Sequence, residues 1–186
     1  PWRDASPSVE LPATLRQLGA RIERTEVRAM SWSQLQHLDG FMRRLFTDER
    51  LALKDRDGKL VSYGGKSEGA STLNMYMASD LVVKPLTKPF RCSFMELIST
   101  HAQPPKVFMS HAWKTAWWQT MRLLSFYVQQ RFPDAAEDVY IWICTFANNQ
   151  HDLGELIGDL MDTPFVRAIR SEGCAGTVVV LDDEVT

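Results

Sequence analysis

The stretch Val139-Tyr-Ile-Trp-Ile-Cys-Thr-Phe146 is a continuous run of apolar, β-branched and aromatic residues. A strand with one face in solvent alternates apolar and polar residues, whereas a strand buried on both faces shows no such alternation. The run therefore predicts a strand inside a parallel sheet that is covered by helices on both faces.

Two further apolar strands are predicted around this run, at Val107–Ser110 and at Gly176–Leu181. Helical patterns separate the three strands. The segment Thr115–Arg131 repeats apolar residues at helical spacing, and residues 152–170 are helical in parts. This alternation of strands and helices predicts an open parallel α/β sheet over residues 105–186.

Residues 1–104 are predicted to form an N-terminal extension of mixed α and β structure that packs on the α/β domain. Ser–x–x–Gln and Ser–x–x–Glu patterns are capping boxes, which mark the first turn of a helix. The predicted parts are an arm over 1–12, a helix capped by Ser31 and Gln34, a turn at 54–59, a strand at Leu81–Val83 and a helix capped by Ser93 and Glu96.

The composition of the 186 residues is typical of a globular protein: 45% are hydrophobic, 24% are charged, and the formal net charge is −2. So small a net charge indicates no nucleic-acid partner. No apolar run approaches the ~20 residues that a membrane-spanning helix needs. We therefore expect neither nucleic acid nor a membrane span among the functions of this chain.

The three cysteines, Cys92, Cys144 and Cys174, are widely spaced and form no CxxC motif. Their spacing argues against a disulfide framework and against a zinc site, so no metal is expected. Unpaired cysteines favour a reducing, intracellular compartment, and the cytoplasm is the expected location. Because the sequence begins with Pro1 rather than Met, it does not distinguish the cytoplasm from an organelle.

Polar residues follow each predicted strand, and open parallel sheets bind ligands outside the carboxyl ends of their strands. We expect the side chains after the first two strands to meet in one pocket or interface. The alternative is that Asn149 and Gln150 only tie their loop to its own backbone. The candidate binding residues are Ser110, His111 and Trp113 after the first strand, Phe146, Asn148, Asn149, Gln150 and His151 after the second, and Asp182 after the third.

The strand ends resemble a TIR-like family found in large proteins of unicellular algae and other protists. They are also distantly similar to the fungal heterokaryon-incompatibility domain. The resemblance covers roughly residues 60–182. The stretches that carry it are Val107-Phe-Met-Ser-His-Ala-Trp113, Tyr140-Ile-Trp-Ile-Cys-Thr-Phe-Ala-Asn-Asn-Gln150 and Gly176-Thr-Val-Val-Val-Leu-Asp182. The upstream stretches Leu73-Asn-Met-Tyr76, Val83-Lys-Pro-Leu-Thr87 and Arg91-Cys-Ser-Phe-Met-Glu-Leu97 resemble a lead-in of the same family. It implies a flavodoxin-like, three-layer fold in a signalling or scaffold module that acts by association with protein partners or with itself, as a subunit of a larger assembly.

The same resemblance implies an alternative function, cleavage of NAD⁺ or processing of a related nucleotide, with NAD⁺ as substrate. That chemistry needs a carboxylate to stabilise an oxocarbenium-like transition state. Glu155 and Glu184 are weak catalytic candidates, because neither matches the position of the family's glutamate. Either the domain is truncated before that position, or upstream strands such as Leu81–Val83 complete the sheet. Trp113 and Phe146 would form the apolar wall for the nicotinamide ring.

Overall fold

The computed structural model describes residues 10–15, 19–48, 51–64, 69–152, 154 and 159–181. Within these residues the protein is a mixed α/β fold around a mostly parallel sheet, as the sequence predicts. The predicted arm over 1–12 lies largely outside the described residues. No helix in the described part of the chain is both long and apolar enough to cross a membrane.

In the described residues six strands form two sheets. The strands are β1 (Met30–Ser31), β2 (Val61–Ser62), β3 (Ser71–Thr72), β4 (Val107–His111), β5 (Tyr140–Trp142) and β6 (Thr177–Val180). The main sheet has the order β1-β5-β4-β6, and β2 and β3 form a separate parallel pair. Strand β4 pairs in parallel with both β5 and β6, whereas β1 runs antiparallel to β5.

Helices cover both faces of the main sheet. They are α1 (Trp32–Leu45), α2 (Met75–Ala78), α3 (Lys84–Thr87), α4 (Phe94–Ile98), α5 (Trp117–Arg131), α6 (Cys144–Ala147) and α7 (Pro164–Ile169). A π-helical segment, Ser79–Val83, joins α2 to α3. Short 3₁₀ turns lie at Thr25–Val27, Ala136–Asp138 and Leu160–Asp162.

Two apolar clusters divide the protein into three layers. On one face of the sheet, Val107 and Met109 of β4 join the large core that contains the buried residues of α1, α4 and α5. On the other face, Phe108 stacks on Trp142 of β5 at 5.2 Å, and both rings pack against Phe165 of α7. Alternate residues of β4 therefore enter different cores, which is why this part of the sequence shows no polar alternation.

Several local predictions are confirmed. Ser31 accepts a hydrogen bond from the Gln34 amide at 3.1 Å, and the Gln34 side chain accepts one from the Ser31 amide at 2.9 Å, so the first capping box is complete. The box at Ser93 and Glu96 is also complete. The turn at 54–59 is closed by the carboxylate of Asp55, which accepts two backbone amides.

The predicted strand at Leu81–Val83 is wrong, because these residues belong to the π-helical segment. Asn74 caps the start of α2 by accepting the amide of Met77 at 3.1 Å, and the helical chain then continues to Thr87. Pro85 has no amide proton, which is consistent with a local shift away from α-helical hydrogen bonding. Val82 and Val83 are fully buried, so the apolar run reflects a buried helix.

The predicted second strand is too long. The observed strand β5 ends at Trp142, and Cys144–Ala147 forms the one-turn helix α6. Because α6 is buried as well, the apolar run continues without a break from strand into helix, and periodicity alone cannot separate the two. The extension also does more than pack on the sheet: Met30 pairs with Ile141, so residues from 1–104 supply an edge strand.

Candidate functional site

The end of β4 carries a row of three rings. The rings of His111 and Trp113 are nearly parallel, with centroids 6.2 Å apart, and the tilted ring of Tyr76 lies 5.0 Å from that of Trp113. The loop after β4 is held by the amide of Met75, which donates to the Trp113 carbonyl at 3.1 Å. The first turn of α2 therefore positions this row beside the carboxyl end of β4.

His111 is neutral at pH 7 and faces the inside of the protein. Burial lowers the pKa of its imidazole to about 4, since the charged form loses its hydration. Its Nε2 atom is buried and has no hydrogen-bond partner among the described residues. Ser110 is exposed on the opposite face of the strand, so the two side chains cannot act together as nucleophile and base.

Cys144 lies at the end of β5 and is linked to the same row of rings. Its thiol interacts with the side chains of Thr145 and Trp113. Burial nevertheless raises the pKa of the Cys144 thiol, so it stays protonated at neutral pH. The protonated thiol of Cys144 is a poor nucleophile.

The loop after α6 is fixed by its own polar side chains. Asn149 donates from Nδ2 to the carbonyl of Arg91 at 2.7 Å and accepts the amide of His151 at 3.0 Å. Gln150 donates to the carbonyls of Cys144 and Asn148 at 3.5 and 3.4 Å. Gln150 thus bonds to nearby backbone, as the alternative predicts, whereas Asn149 also joins the loop to the distant chain at Arg91.

His151 contacts the end of α3 rather than the row of rings. Its Nε2 lies 2.9 Å from the hydroxyl of Thr87. Burial lowers the pKa of His151, and the nearby cations Arg91, Lys84 and Lys88 lower it further. The potential around this loop is therefore positive.

Phe146 and Asn148 are buried. Phe146 is 1% exposed and packs between Phe94 and Trp117, with ring centroids at 5.5 and 6.1 Å. It belongs to the core, so the expectation that it forms a wall for a flat ligand is wrong. Asn148 has a buried Oδ1 atom with no partner among the described residues.

The contacts thus divide the predicted site into two groups. His111 and Trp113 lie with Tyr76 after β4, whereas Asn149, Gln150 and His151 contact the α6 turn and the chain around Arg91. A single shared pocket stays a prediction. The remaining candidates Glu155, Asp182 and Glu184 lie outside the described residues.

The sequence analysis missed a cavity of about 640 Å³ beside the second group. Part of its wall is an ion pair between the buried guanidinium of Arg28 and the carboxylate of Glu96, at 3.4 Å. The sequence pattern Ser93–x–x–Glu96 indicates only the capping role of Glu96. The pairing with Arg28 joins residues distant in the sequence, and no local pattern marks it.

Comparisons of the chain with protein-family models, with curated proteins and with solved structures give no match. The TIR-like resemblance therefore depends on the quoted strand ends alone. In the described ranges, no group of three or more His, Cys, Asp or Glu side chains is placed to hold a metal ion. Cys92, Cys144 and Cys174 are all free thiols.

Proposed function

We propose that this chain is a TIR-like association module with a flavodoxin-like sheet, and that two copies associate through strand β6. The order of its parallel strands supports the fold assignment. In chain order, the first parallel strand (β4) lies between the second (β5) and the third (β6). Flavodoxin-like sheets begin with this second–first–third order.

The exposure of β6 is the observation that carries the functional proposal. Val179 is 57% exposed and Leu181 is 56% exposed, although both are large apolar residues. Within the described chain β6 pairs only with β4, and its other side is unpaired there. Edge strands usually carry a charge or a proline that prevents pairing with another chain. Thr177–Val180 has neither.

The backbone of β6 is also oriented for pairing. The carbonyl of Gly176 accepts the amide of Phe108 in β4 at 3.0 Å. The carbonyl of Val180 accepts the amide of Ala112, the residue after β4, at 3.3 Å. Because the amide and carbonyl of one strand residue point to the same side, the peptide groups of Val179 point away from β4. A second β6 strand can pair with them across a two-fold axis, which gives a closed dimer.

Sedimentation equilibrium over a range of protein concentrations tests this proposal. The wild-type chain is expected to associate reversibly, and Val179→Lys is expected to be monomeric because a charge at the edge prevents pairing. Leu60→Lys is the matched control, since Leu60 is similarly exposed but lies next to the separate β2–β3 pair. A wild-type monomer, or a Val179→Lys variant that associates as wild type does, contradicts the proposal.

The same samples test the alternative function. The described residues contain no carboxylate from the predicted pair, because Glu155 and Glu184 lie outside them. Incubation with NAD⁺ is expected to leave the nucleotide intact in both monomeric and associated samples. Release of nicotinamide in proportion to the concentration of this chain would establish the enzyme instead.

A further inference from the structure

The cavity of about 640 Å³ lies between the loop 19–28 and the segment 90–97. Its volume is within the range of about 300–1,000 Å³ that small-molecule sites occupy. Asn149 lines it, and Arg28 donates from Nη1 to the carbonyl of Ala147 at 3.3 Å, so it adjoins the α6 turn that follows β5. This is the end of a parallel strand at which α/β folds bind ligands.

The Arg28–Glu96 pair forms a rigid and neutral part of the wall. Arg28 also donates from Nε to the carbonyl of Ile22 at 2.8 Å. Glu96 accepts the amide and the hydroxyl of Ser93, each at 2.9 Å, and the amide of Ile22 at 3.1 Å. Because these groups satisfy the Glu96 carboxylate, it is not free to neutralise other cations at the cavity.

Gly19 fixes how closely the loop approaches this wall. A β-carbon at Gly19 would lie 2.1 Å from the carbonyl oxygen of Glu96, closer than atoms can approach. The amide of Ala20 donates to the carbonyl of Ser99 at 3.1 Å, which holds the loop against α4. The cavity is therefore bounded by ordered backbone on this side.

Two exposed arginines at the cavity have no acidic partner in the described part of the chain. Arg21 and Arg91 both line it, and neither forms an ion pair with a described acidic residue. The guanidinium of Arg91 makes one long contact, 3.5 Å to the carbonyl of His151. Glu96 is the acidic residue among the described lining residues, and its charge is matched by Arg28. The cavity therefore carries a net charge of +2, from Arg21 and Arg91.

An apolar surface lies beside these charges. Phe90 lines the cavity and is 68% exposed, which is unusual for a phenylalanine, and Leu97 lines it as well. A ligand that matches this surface needs both an anionic group and an apolar group. Guanidinium groups form paired hydrogen bonds with phosphate oxygens, and a phosphate monoester dianion balances two arginines.

We propose that this cavity binds a small organic phosphate, with the phosphate held by Arg21 and Arg91 and the apolar part of the ligand lying on Phe90. Phenyl phosphate is the simplest probe with both features. Phenol has only the ring, and inorganic phosphate has only the anion. Phenyl phosphate is expected to bind more tightly than either.

Isothermal titration calorimetry with phenyl phosphate tests the assignment. Arg21→Gln and Arg91→Asn are each expected to weaken binding about tenfold, the effect of losing one charge-assisted contact. Asn is chosen at residue 91 because that residue has a positive φ of 48°, which Asn tolerates. Arg122→Gln, an exposed arginine on α5, is the matched control and is expected to bind as wild type. Failure of the wild-type chain to bind, or equal binding by all variants, overturns the proposal.

Alkylation of the cysteines shows where the probe binds. Cys92 lines the cavity, whereas the similarly half-buried Cys174 does not. Saturating phenyl phosphate is expected to slow the reaction of Cys92 with iodoacetamide and to leave Cys174 unchanged, as measured by mass spectrometry of peptides. Binding without protection of Cys92 would place the ligand elsewhere and overturn the proposal. The melting temperature of each variant confirms that it is folded.

Discussion

Strands β5 and β6 lie on opposite sides of β4, but only β5 is enclosed by the rest of the protein. Ile141 and Trp142 of β5 are fully buried, one in each apolar cluster. In β6, Val180 is buried on the inner face while Val179 is exposed on the outer face. Similar apolar residues therefore stabilise the fold in β5 and form an accessible surface in β6. We accordingly expect substitutions in β5 to change the stability of the fold and substitutions in β6 to change its association.

The largest expected effect of this difference is on stability. Trp142→Ala removes a fully buried ring that stacks on Phe108, and it is expected to lower the free energy of unfolding by about 3–5 kcal/mol. Val179→Ala removes exposed atoms and is expected to change it by less than about 0.5 kcal/mol. Urea unfolding followed by fluorescence measures both. Equal losses for the two variants would show that β6 is as enclosed as β5.

His111, on the inner face of the β4–β6 pair, is expected to make the free energy of unfolding depend on pH. His111 lies opposite Val180, and burial lowers its pKa from 6.5 to about 4. Between pH 4 and pH 6.5 the unfolded chain binds more protons at this histidine than the folded chain does. The contribution of neutral His111 to the free energy of unfolding is therefore complete above pH 6.5 and is lost as the pH falls to 4. The expected loss is about 2–3 kcal/mol.

Urea unfolding at several pH values between 4 and 7 measures this effect of His111. His111→Phe is expected to flatten the profile because it keeps a ring beside Trp113 and removes the titrating group. His37→Asn replaces an exposed histidine of α1 and serves as the control that keeps the wild-type slope. An unchanged slope in His111→Phe would mean that other groups produce the pH dependence.

Strand β1 forms the opposite edge of the main sheet and can be compared with β6. Strand β1 has only two residues and leads directly into the capped helix α1, so this edge is short and protected. Ser31→Ala removes the cap and is expected to cost about 1 kcal/mol of stability. It is expected to leave association unchanged, as measured by sedimentation at matched concentrations. Loss of association in Ser31→Ala would show that the β1 edge takes part.

Local chemistry explains which parts of the fold could be predicted. The caps at Ser31 and Ser93 act within one helical turn, so neighbouring residues contain all the information. The apolar run at Leu81–Val83 predicts a strand as readily as a helix, because a buried helix and a buried strand have the same composition. Only the cap at Asn74, several residues earlier, indicates the helix.

Features that depend on distant residues could not be predicted. The exposure of Val179 depends on which strands flank β6. An apolar run in the sequence indicates burial but does not indicate which strands lie beside it. The Arg28–Glu96 pair joins residues far apart in the chain and leaves no periodic signal. At the candidate site, Ser110, His111 and Trp113 lie at or just after the end of β4, whereas Asn148, Asn149 and Gln150 follow the helix α6 rather than a strand. The sequence could not show that Asn149 turns to the backbone or that Phe146 turns to the core.

Hydrogen exchange at the amide of Val179 tests the central claim most directly, because this amide points away from β4 and is protected only if another strand pairs with it. The measurement compares the exchange rate at two protein concentrations, below and above the range of association, with Val180 as the internal reference that faces β4. We expect exchange at Val179 to slow at least tenfold at the higher concentration while that at Val180 stays the same. Exchange at Val179 that is equally fast at both concentrations, in a sample that associates, would show that the copies meet elsewhere and would contradict association through β6.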